Sequence, residues 1–223
     1  MKEKKIFAKG LSFYKLFILF VIGCVVGTYY EQILTLIKHY IKDGSFVWEY
    51  RRGVIYGPFS PIYGAGTVLM IYILAKKKRE WYQTFLYGSI LGGAFEYAIS
   101  FLQETFIGTV SWDYSSQLLN INGRTTVPIM IFWGVCSVLL VHFIYPWISN
   151  MIEKIPYDIG MMVSRVLLVF LILDMLISWS ALIRQTLRRN HIKPFTVIGE
   201  FFDTYYPDEY LKKYFPNMVA VEK

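Results

Sequence analysis

The chain has 223 residues and a formal charge of +7, and 55% of its residues are hydrophobic. Together with 18% aromatic residues and a mean hydropathy of +0.41, this composition excludes an ordinary soluble globular domain. The basic residues are spread along the chain and form no basic domain. We therefore expect their side chains to interact with the headgroups of the lipid bilayer, and we expect no nucleic-acid partner.

The first predicted membrane span runs from Leu11 to Ile37. It is too long for the apolar region of a cleaved signal peptide, so we expect it to stay in the protein. Lys15 lies near one end of this span and Glu31 near the other. At such a position we interpret Glu31 as a solvated carboxylate at a helix end.

The second predicted span, Val54 to Ala75, contains no charged residue and exceeds the run of about 20 residues that crosses a bilayer. A sixth membrane element is an alternative here, if Phe46 to Tyr63 dips into the membrane. Glycine and proline would break a straight helix in that segment, and broken backbone is allowed at membrane depth only where protein or water covers it.

The third predicted span, Phe85 to Ile107, contains two acidic residues, Glu96 and Glu104. A carboxylate at mid-depth costs roughly 2.5–3.5 kcal/mol, and such residues usually face a bundle interior. Helical spacing places Glu96 in a stripe of small and polar residues, whose other members are Ser89, Gly93, Ser100 and Gln103. The stripe predicts a packing seam between helices, and Glu96 within it predicts a functional site.

The fourth span, Thr125 to Asn150, is free of charge, and the fifth, Val166 to Ile183, carries Asp174 near its centre. For Asp174, a protonated or paired structural aspartate and a functional one are both open. The sequence thus predicts an all-α polytopic integral membrane bundle of five, or with the extra element six, transmembrane helices over residues 1–189. Residues 190–223 form a tail whose interleaved aromatic and charged residues predict an interfacial segment.

Counts of Lys and Arg near the span ends are nearly equal on the two sides. We expect the N-terminus inside because the first helix usually dominates and Lys76 to Arg79 form the densest short cluster. The same side then receives the N-terminal lysines, which are Lys2, Lys4, Lys5, Lys9 and Lys15.

The richest polar segment joins the third and fourth spans, and each of its residues has an ordinary role in a turn, a cap or an interfacial belt. Together they predict a polar mouth, a ligand or ion entrance above the buried acids. Its candidate residues are Glu104, Trp112, Asp113, Tyr114, Asn120 and Arg124.

Other chemistry finds little support in the sequence. No phosphate-binding Gly-x-x-x-x-Gly-Lys-Ser/Thr loop occurs, so ATP hydrolysis would need a separate subunit. No zinc-protease or serine-hydrolase motif occurs, and Cys24 and Cys136 both lie inside spans as small hydrophobic residues. We therefore expect no metal site and no cofactor.

A series of short motifs resembles, in order and spacing, the family of ABC-transporter permeases called CmpB-like or type IV. The motifs are Arg52-Gly53, Tyr56-Gly57-Pro58, Pro61-Ile62-Tyr63-Gly64-Ala65-Gly66, Gly88-Ser89, Glu96-Tyr97, Trp112-Asp113-Tyr114-Ser115, Asn120-Ile121-Asn122-Gly123-Arg124 and Phe132-Trp133-Gly134. The resemblance runs from the first span to Asp174. Arg51 departs from it, since asparagine is more usual there, and the tail from Asn190 lies outside it.

The resemblance implies a bacterial multi-pass protein of the cell membrane that serves as a transport permease. Its motifs mark Gly123 and the candidate site residues Arg52, Glu96, Trp112, Asp113, Tyr114, Asn120, Arg124 and Asp174, without giving any of them a chemical role; Glu104 is a candidate from its position alone. As partners we expect a separate ATP-binding subunit or a second copy of the chain.

Three functions remain open, and transport is favoured. In transport, the midplane acids bind or relay a cation or proton, and the mouth admits substrate. In an intramembrane enzyme, Glu96 or Glu104 acts as general base while Arg124 or Arg52 holds a lipid or prenyl phosphate. In a scaffold or sensor, buried acids pair with arginine to fix helix register.

Overall fold

The computed structural model describes residues 6–221 and is dominated by helix, which accounts for 69% of the structure. Residues 1–5, including the Lys2, Lys4 and Lys5 of the orientation count, lie outside the described residues, as do residues 222–223.

The helices of the described chain are α1 (Phe13–Asp43), α2 (Pro61–Leu74), α3 (Trp81–Ile107), α4 (Val127–Leu139), α5 (Tyr145–Glu153), α6 (Tyr157–Arg189), α7 (Val197–Tyr205) and α8 (Asp208–Tyr214). A π-helical turn, Leu140–Ile144, joins α4 to α5 just before Pro146, whose missing N–H cannot continue a regular ladder. Short strands β1 (Thr109–Val110) and β4 (Val219–Ala220) pair antiparallel, as do β2 (Asn120–Ile121) and β3 (Thr125–Thr126).

Four helical segments of the described chain are long and apolar enough to cross a membrane: α1, α3, the joined helix Val127–Glu153, and α6. The molecule is therefore a helical membrane protein, and the predicted count of five or six spanning helices is not confirmed. The difference lies in the second predicted span. Its helix α2 has 14 residues, which reach about 21 Å and fall short of about 30 Å of hydrocarbon.

The bundle has two unlike ends. One end gathers the segment 44–60, the loop 108–126 and the tail, because β1 pairs with β4 and the Arg52 N–H donates to the Tyr214 carbonyl. We call this the loop end. The other, the basic end, holds the turn between α2 and α3 with its cluster Lys76 to Arg79, and the turn between α5 and α6.

Glycines let neighbouring helices approach closely in two seams. Between α1 and α2, a Cβ atom on Gly27 would overlap the ring of Tyr63. Between α3 and α4, a Cβ atom on Gly92 would overlap Trp133, and one on Gly134 would overlap Ser89. Small residues favour helix association in a bilayer because close backbones gain van der Waals contact.

Buried polar contacts close both ends of the bundle. At the basic end, Lys15 is fully buried and its Nζ lies 2.8 Å from a carboxylate oxygen of Glu153. At the loop end, Arg184 donates two hydrogen bonds to Asp203, of 2.9 and 2.7 Å, and this contact holds α7 against α6. The tail thus packs onto the bundle, and its interfacial position in the membrane stays a prediction.

Candidate functional site

A group of carboxylates and hydroxyls lies inside the bundle, contributed by α1, α2, α3 and the loop 108–126. The Tyr63 hydroxyl donates to Glu31 over 2.7 Å. The Tyr114 hydroxyl donates to one oxygen of Glu96 over 3.1 Å, and the Thr125 hydroxyl donates to the other over 2.7 Å. We call these five residues the carboxylate centre.

The place where α2 begins, at Pro61, positions the first half of the centre. The Ser60 N–H donates to the carbonyl of Cys24 over 3.1 Å, so α2 begins beside the middle of α1. Tyr63, in the first turn of α2, then lies over Gly27, and its hydroxyl reaches Glu31, which is one helical turn farther along α1.

The loop between α3 and α4 supplies the second half. It folds back on itself because the Tyr114 N–H donates to the carbonyl of Gly123 over 2.8 Å. Gly123 has φ of +68°, a left-handed conformation that a side chain would strain, and a Cβ there would also approach Asp113 and Ser115. This turn brings the Tyr114 hydroxyl down to Glu96.

The centre contains two carboxyl groups and no basic side chain. Neither Glu31 nor Glu96 forms an ion pair with Lys, Arg or His in the described part of the chain. Burial raises the pKa of Tyr114, and the negative charges of Glu96 and Glu31 raise it further. The two carboxylates therefore act on the same phenol, and their fields overlap.

The predicted mouth is a closed hydrogen-bonded unit. Arg124 pairs with Glu104 at 2.5 Å, and its guanidinium lies 5.4 Å from the ring centroid of Phe101. The indole N–H of Trp112 donates to the carbonyl of Arg124 over 2.9 Å. The arginine charge is thus neutralised by a neighbouring acid, and Trp112 fixes the backbone beside it.

The remaining predicted mouth residues shape the loop. Hydrogen bonds from the hydroxyl and N–H of Ser115 hold the pKa of Asp113 below its usual range, so this carboxylate is ionised and turned into its own loop. The Asn120 side chain donates to the carbonyl of Gln117 over 2.8 Å and accepts from the Gly123 N–H over 2.9 Å. Both contacts are those of turn-forming residues.

Asp174 and Arg52 lie in a third place, where the unwound segment before α2 touches α6. One carboxylate oxygen of Asp174 accepts from the Tyr56 N–H and from the Ser178 hydroxyl, each over 3.1 Å. Ser178 in turn accepts from the Ile55 N–H over 2.8 Å. Side chains of α6 thereby satisfy backbone that would otherwise be unpaired at membrane depth.

Arg52 lies near Asp174 without forming an ion pair with it. Its guanidinium stacks on the rings of Tyr50 and Tyr214, 4.7 and 5.1 Å from their centroids. The other Asp174 oxygen and the Arg52 Nε are both buried without a hydrogen-bond partner in the described residues.

The predicted site residues therefore fall into three groups, and the structure does not gather them in one. Glu96 and Tyr114 meet in the carboxylate centre, Glu104 meets Trp112 and Arg124, and Arg52 neighbours Asp174. Sequence reasoning did not single out Thr125, and it interpreted Glu31 as a solvated carboxylate at a helix end. In the structure Glu31 is half-buried within α1 and accepts a hydrogen bond from Tyr63. Gly27, four residues before Glu31 on the same helix face, was a signal in the sequence for this contact. A glycine there leaves space for the ring of a residue from a neighbouring helix, which can then reach Glu31.

The described residues hold no group of three or more His, Cys, Asp or Glu side chains arranged to bind a metal ion. Comparisons with curated proteins and with solved structures give no significant match. A protein-family model does match, over residues 18–179, and its description is "Putative ABC-transporter type IV". Because that match spans most of the chain, the protein belongs to this ABC-transporter family.

Proposed function

We propose that this protein is the membrane-spanning permease of an ABC-type transporter in the cell membrane and works with a separate ATP-binding subunit. Membership of the family and four apolar helices long enough to span a bilayer support the role. The sequence has no phosphate-binding loop of its own, so ATP would be bound by the partner.

The observation that carries the proposal is the carboxylate centre. Acidic side chains within membrane spans usually mark a substrate or ion pathway, because they are costly unless they serve one. Glu31 and Glu96 come from different helices, converge through Tyr63 and Tyr114, and have no basic partner in the described residues. A centre of this kind binds or relays a cation or a proton.

The short helix α2 supplies the route to the centre. Transporters commonly place their binding sites where a membrane helix is interrupted near the midplane. Here α2 starts beside Cys24, and the unwound segment that precedes it is held by Asp174 and Ser178 instead of by helical bonds. The polar loop that carries Tyr114 lies at the same end and forms the mouth of the route.

The ATP-binding subunit would dock at the basic end. With the N-terminus inside, this end faces the cytoplasm, and it presents the short turns 75–80 and 154–156. The loop end is occupied by the tail and is the less suitable face.

The enzyme alternative gains less support from the geometry. Arg124 is neutralised by Glu104, and the Arg52 guanidinium stacks on the rings of Tyr50 and Tyr214 close to Asp174, so neither arginine is free of competing contacts for phosphate binding.

Affinity purification of the tagged chain from its native membranes tests the proposal. We expect a nucleotide-binding protein to co-purify in a fixed ratio and the eluate to hydrolyse ATP. A variant with Lys76, Lys77 and Lys78 replaced by Glu should lose the partner, whereas replacing Lys212 and Lys213 by Glu at the loop end should not. A preparation that contains the chain alone and no ATPase activity would contradict the proposed role.

A further inference from the structure

We propose that the carboxylate centre binds an organic ammonium ion, a compact cation that carries alkyl groups, and that this class is what the permease moves. The binding site stands on its own geometry; only its description as the transported class rests on the proposed function.

The first argument is the uncompensated charge. Two carboxylates share the field around Tyr114, and no Lys, Arg or His side chain pairs with either of them in the part of the chain that the structure describes. Both carboxylates are half-buried. A charge that loses part of its hydration is normally paired, because an unpaired one has nothing to replace the lost water. The donors on Glu96 are two neutral hydroxyls, which orient the carboxylate without cancelling its charge.

The second argument is the aromatic lining. Tyr30 meets Tyr63 edge to face, with ring centroids 6.4 Å apart. The phenol of Tyr114 is close enough to both for electrostatic interaction. Trp133, on α4, lies beside Glu96 and interacts with that carboxyl group, although its buried Nε1 forms no hydrogen bond of normal geometry in the described residues. Faces of Tyr and Trp attract alkylammonium ions through their ring quadrupoles.

The third argument is room for the alkyl part. A cavity of about 60 Å³ adjoins the centre: it is lined by Tyr63, a member of the centre, and by Trp133, which lies beside Glu96. Its remaining lining is largely apolar: Gly66, Thr67, Met70, Cys136, Ser137 and Leu140. Measured as the space open to the centre of a water-sized sphere, one water molecule needs about 10–15 Å³, so the cavity has room for a small alkyl group.

These features distinguish an organic cation from a metal ion. Calcium and magnesium require about six or more oxygen ligands in a defined shell, and the described residues bring no third acidic ligand to this place. Phenol and indole rings would supply poor ligands to a hard metal ion but suitable contacts to methyl groups on nitrogen. Carboxylates beside aromatic rings are therefore better matched to an alkylammonium headgroup.

Choline and its neutral isostere 3,3-dimethylbutan-1-ol provide a matched pair of probes for the purified chain in detergent. We expect choline to raise the unfolding temperature in a saturable manner, while the neutral alcohol and potassium chloride at equal ionic strength do not. The Glu31→Gln/Glu96→Gln variant should bind choline at least about tenfold more weakly, since one lost charge contact is worth about 1.4 kcal/mol or more. Glu200→Gln, which removes an exposed carboxylate from α7, should bind as the parent does.

Equal stabilisation by the alcohol would show an apolar cavity only, and equal stabilisation by potassium would show an inorganic cation site; either result overturns the proposal, as does no response to choline. If the double variant does not fold, Tyr114→Phe replaces it: the ring remains, the donor to Glu96 is lost, and weakened choline binding is expected. The choline-binding assay uses the purified chain alone, so its result does not depend on the ATP-binding subunit. An ATP-binding subunit without choline binding would refute the substrate class alone, and choline binding without such a subunit would refute the permease role alone.

Discussion

At the scale of single residues, Asp174 is explained by the backbone that it holds. An acidic residue at membrane mid-depth suggests a function. One carboxylate oxygen of Asp174, however, accepts a hydrogen bond from the Tyr56 N–H of the unwound segment and another from the Ser178 hydroxyl of its own helix. The contact shows why the chain can be unwound there. Asp174 thus supports the centre by fixing the segment that leads into α2.

Substitutions of Asp174 test whether the protein needs its hydrogen-bond acceptor or its negative charge. Asp174→Asn keeps an oxygen acceptor for the Tyr56 N–H, and we expect it to unfold within about 1 kcal/mol of the parent. Asp174→Leu removes the acceptor and leaves two donors unpaired, which should lower the free energy of unfolding by about 2 kcal/mol or more. Denaturation of the purified chain in detergent measures both. A leucine variant as stable as the parent would disprove the supporting role.

Glu31 shows how far residue-level inference from the sequence reaches. Glu31 lies near the end of the first predicted span, so the sequence favoured a solvated carboxylate at the membrane boundary. Its contact with Tyr63 depends on where α2 begins, which is a property of another helix. That Glu96 has hydrogen-bond partners within the bundle was predictable, because a mid-span carboxylate is costly without them. Its donors Tyr114 and Thr125 come from a loop fold that spacing alone does not determine.

At the scale of elements, the glycine seams decide which helices are neighbours. Gly92 lies against the side chain of Trp133, and the centre depends on α3 and α4 keeping this distance.

Gly92→Val tests the seam between α3 and α4. The added atoms would overlap Trp133, so we expect a loss of about 1–3 kcal/mol in the free energy of unfolding, as is typical of overpacking. Ala94→Val, at an exposed position two residues along the same helix, should have little effect and controls for the residue type. Equal stability of the two variants in a thermal unfolding assay would mean that α3 and α4 are not packed as described.

The contact between the tail and α6 should depend on pH. Hydrogen bonds from Arg184, together with those from Arg188, hold the pKa of Asp203 below its usual range. A lowered pKa in the folded state adds stability above the unfolded pKa of about 3.9 and loses it as the pH falls through the folded value. Protection of the amides of residues 197–214, taken relative to the exchange rate of an unfolded chain at the same pH, should therefore stay constant from pH 7 to pH 5 and fall only in stronger acid.

Asp203→Asn provides the matched comparison for the tail. It should show fast exchange of the same residues already at pH 7, because the charge that holds Arg184 and Arg188 is absent. Glu200→Gln, one turn earlier on α7, should behave as the parent. Exchange in Asp203→Asn that matches the parent at pH 7 would show that the ion pairs do not hold the tail.

A long stretch without charged residues does not by itself predict a helix that spans the membrane. Val54 to Ala75 is long and uncharged, and length alone suggested a full span. Proline and glycine within it delay the start of the helix to Pro61, and Asp174 and Ser178 then compensate the unwound backbone. Composition was therefore enough to identify this segment as apolar. Its division into unwound chain and a short helix could not be predicted, because it depends on hydrogen bonds to Asp174 and Ser178 on α6.

At the scale of the whole molecule, the two ends are built from different segments. The loop end carries the mouth, the unwound segment and the tail, and the basic end carries only short turns. The nearly equal charge counts could not separate these ends, because Arg184 and Arg188 of α6 enter the count although they are paired with Asp203 and Asp208 of the tail.

Single cysteines in a chain freed of Cys24 and Cys136 test the arrangement of the ends. With the N-terminus inside, Ser116→Cys in the loop and Lys212→Cys in the tail should both react with a membrane-impermeant maleimide on intact cells. Lys78→Cys should react only after permeabilisation. Labelling of Ser116→Cys and Lys212→Cys from opposite sides would contradict the shared loop end, and labelling of Lys78→Cys alone on intact cells would reverse the orientation.

The central claim is that the carboxylate centre belongs to an ATP-driven permease, and the ATPase rate of the purified complex tests it most directly. The rate should be compared between the parent, Glu31→Gln/Glu96→Gln and the control Glu200→Gln. Coupling between distant sites typically amounts to about fivefold or more. We predict that all three complexes contain the ATP-binding subunit in the same ratio and that only the double variant changes its rate by about this factor. Equal rates in all three would contradict the account.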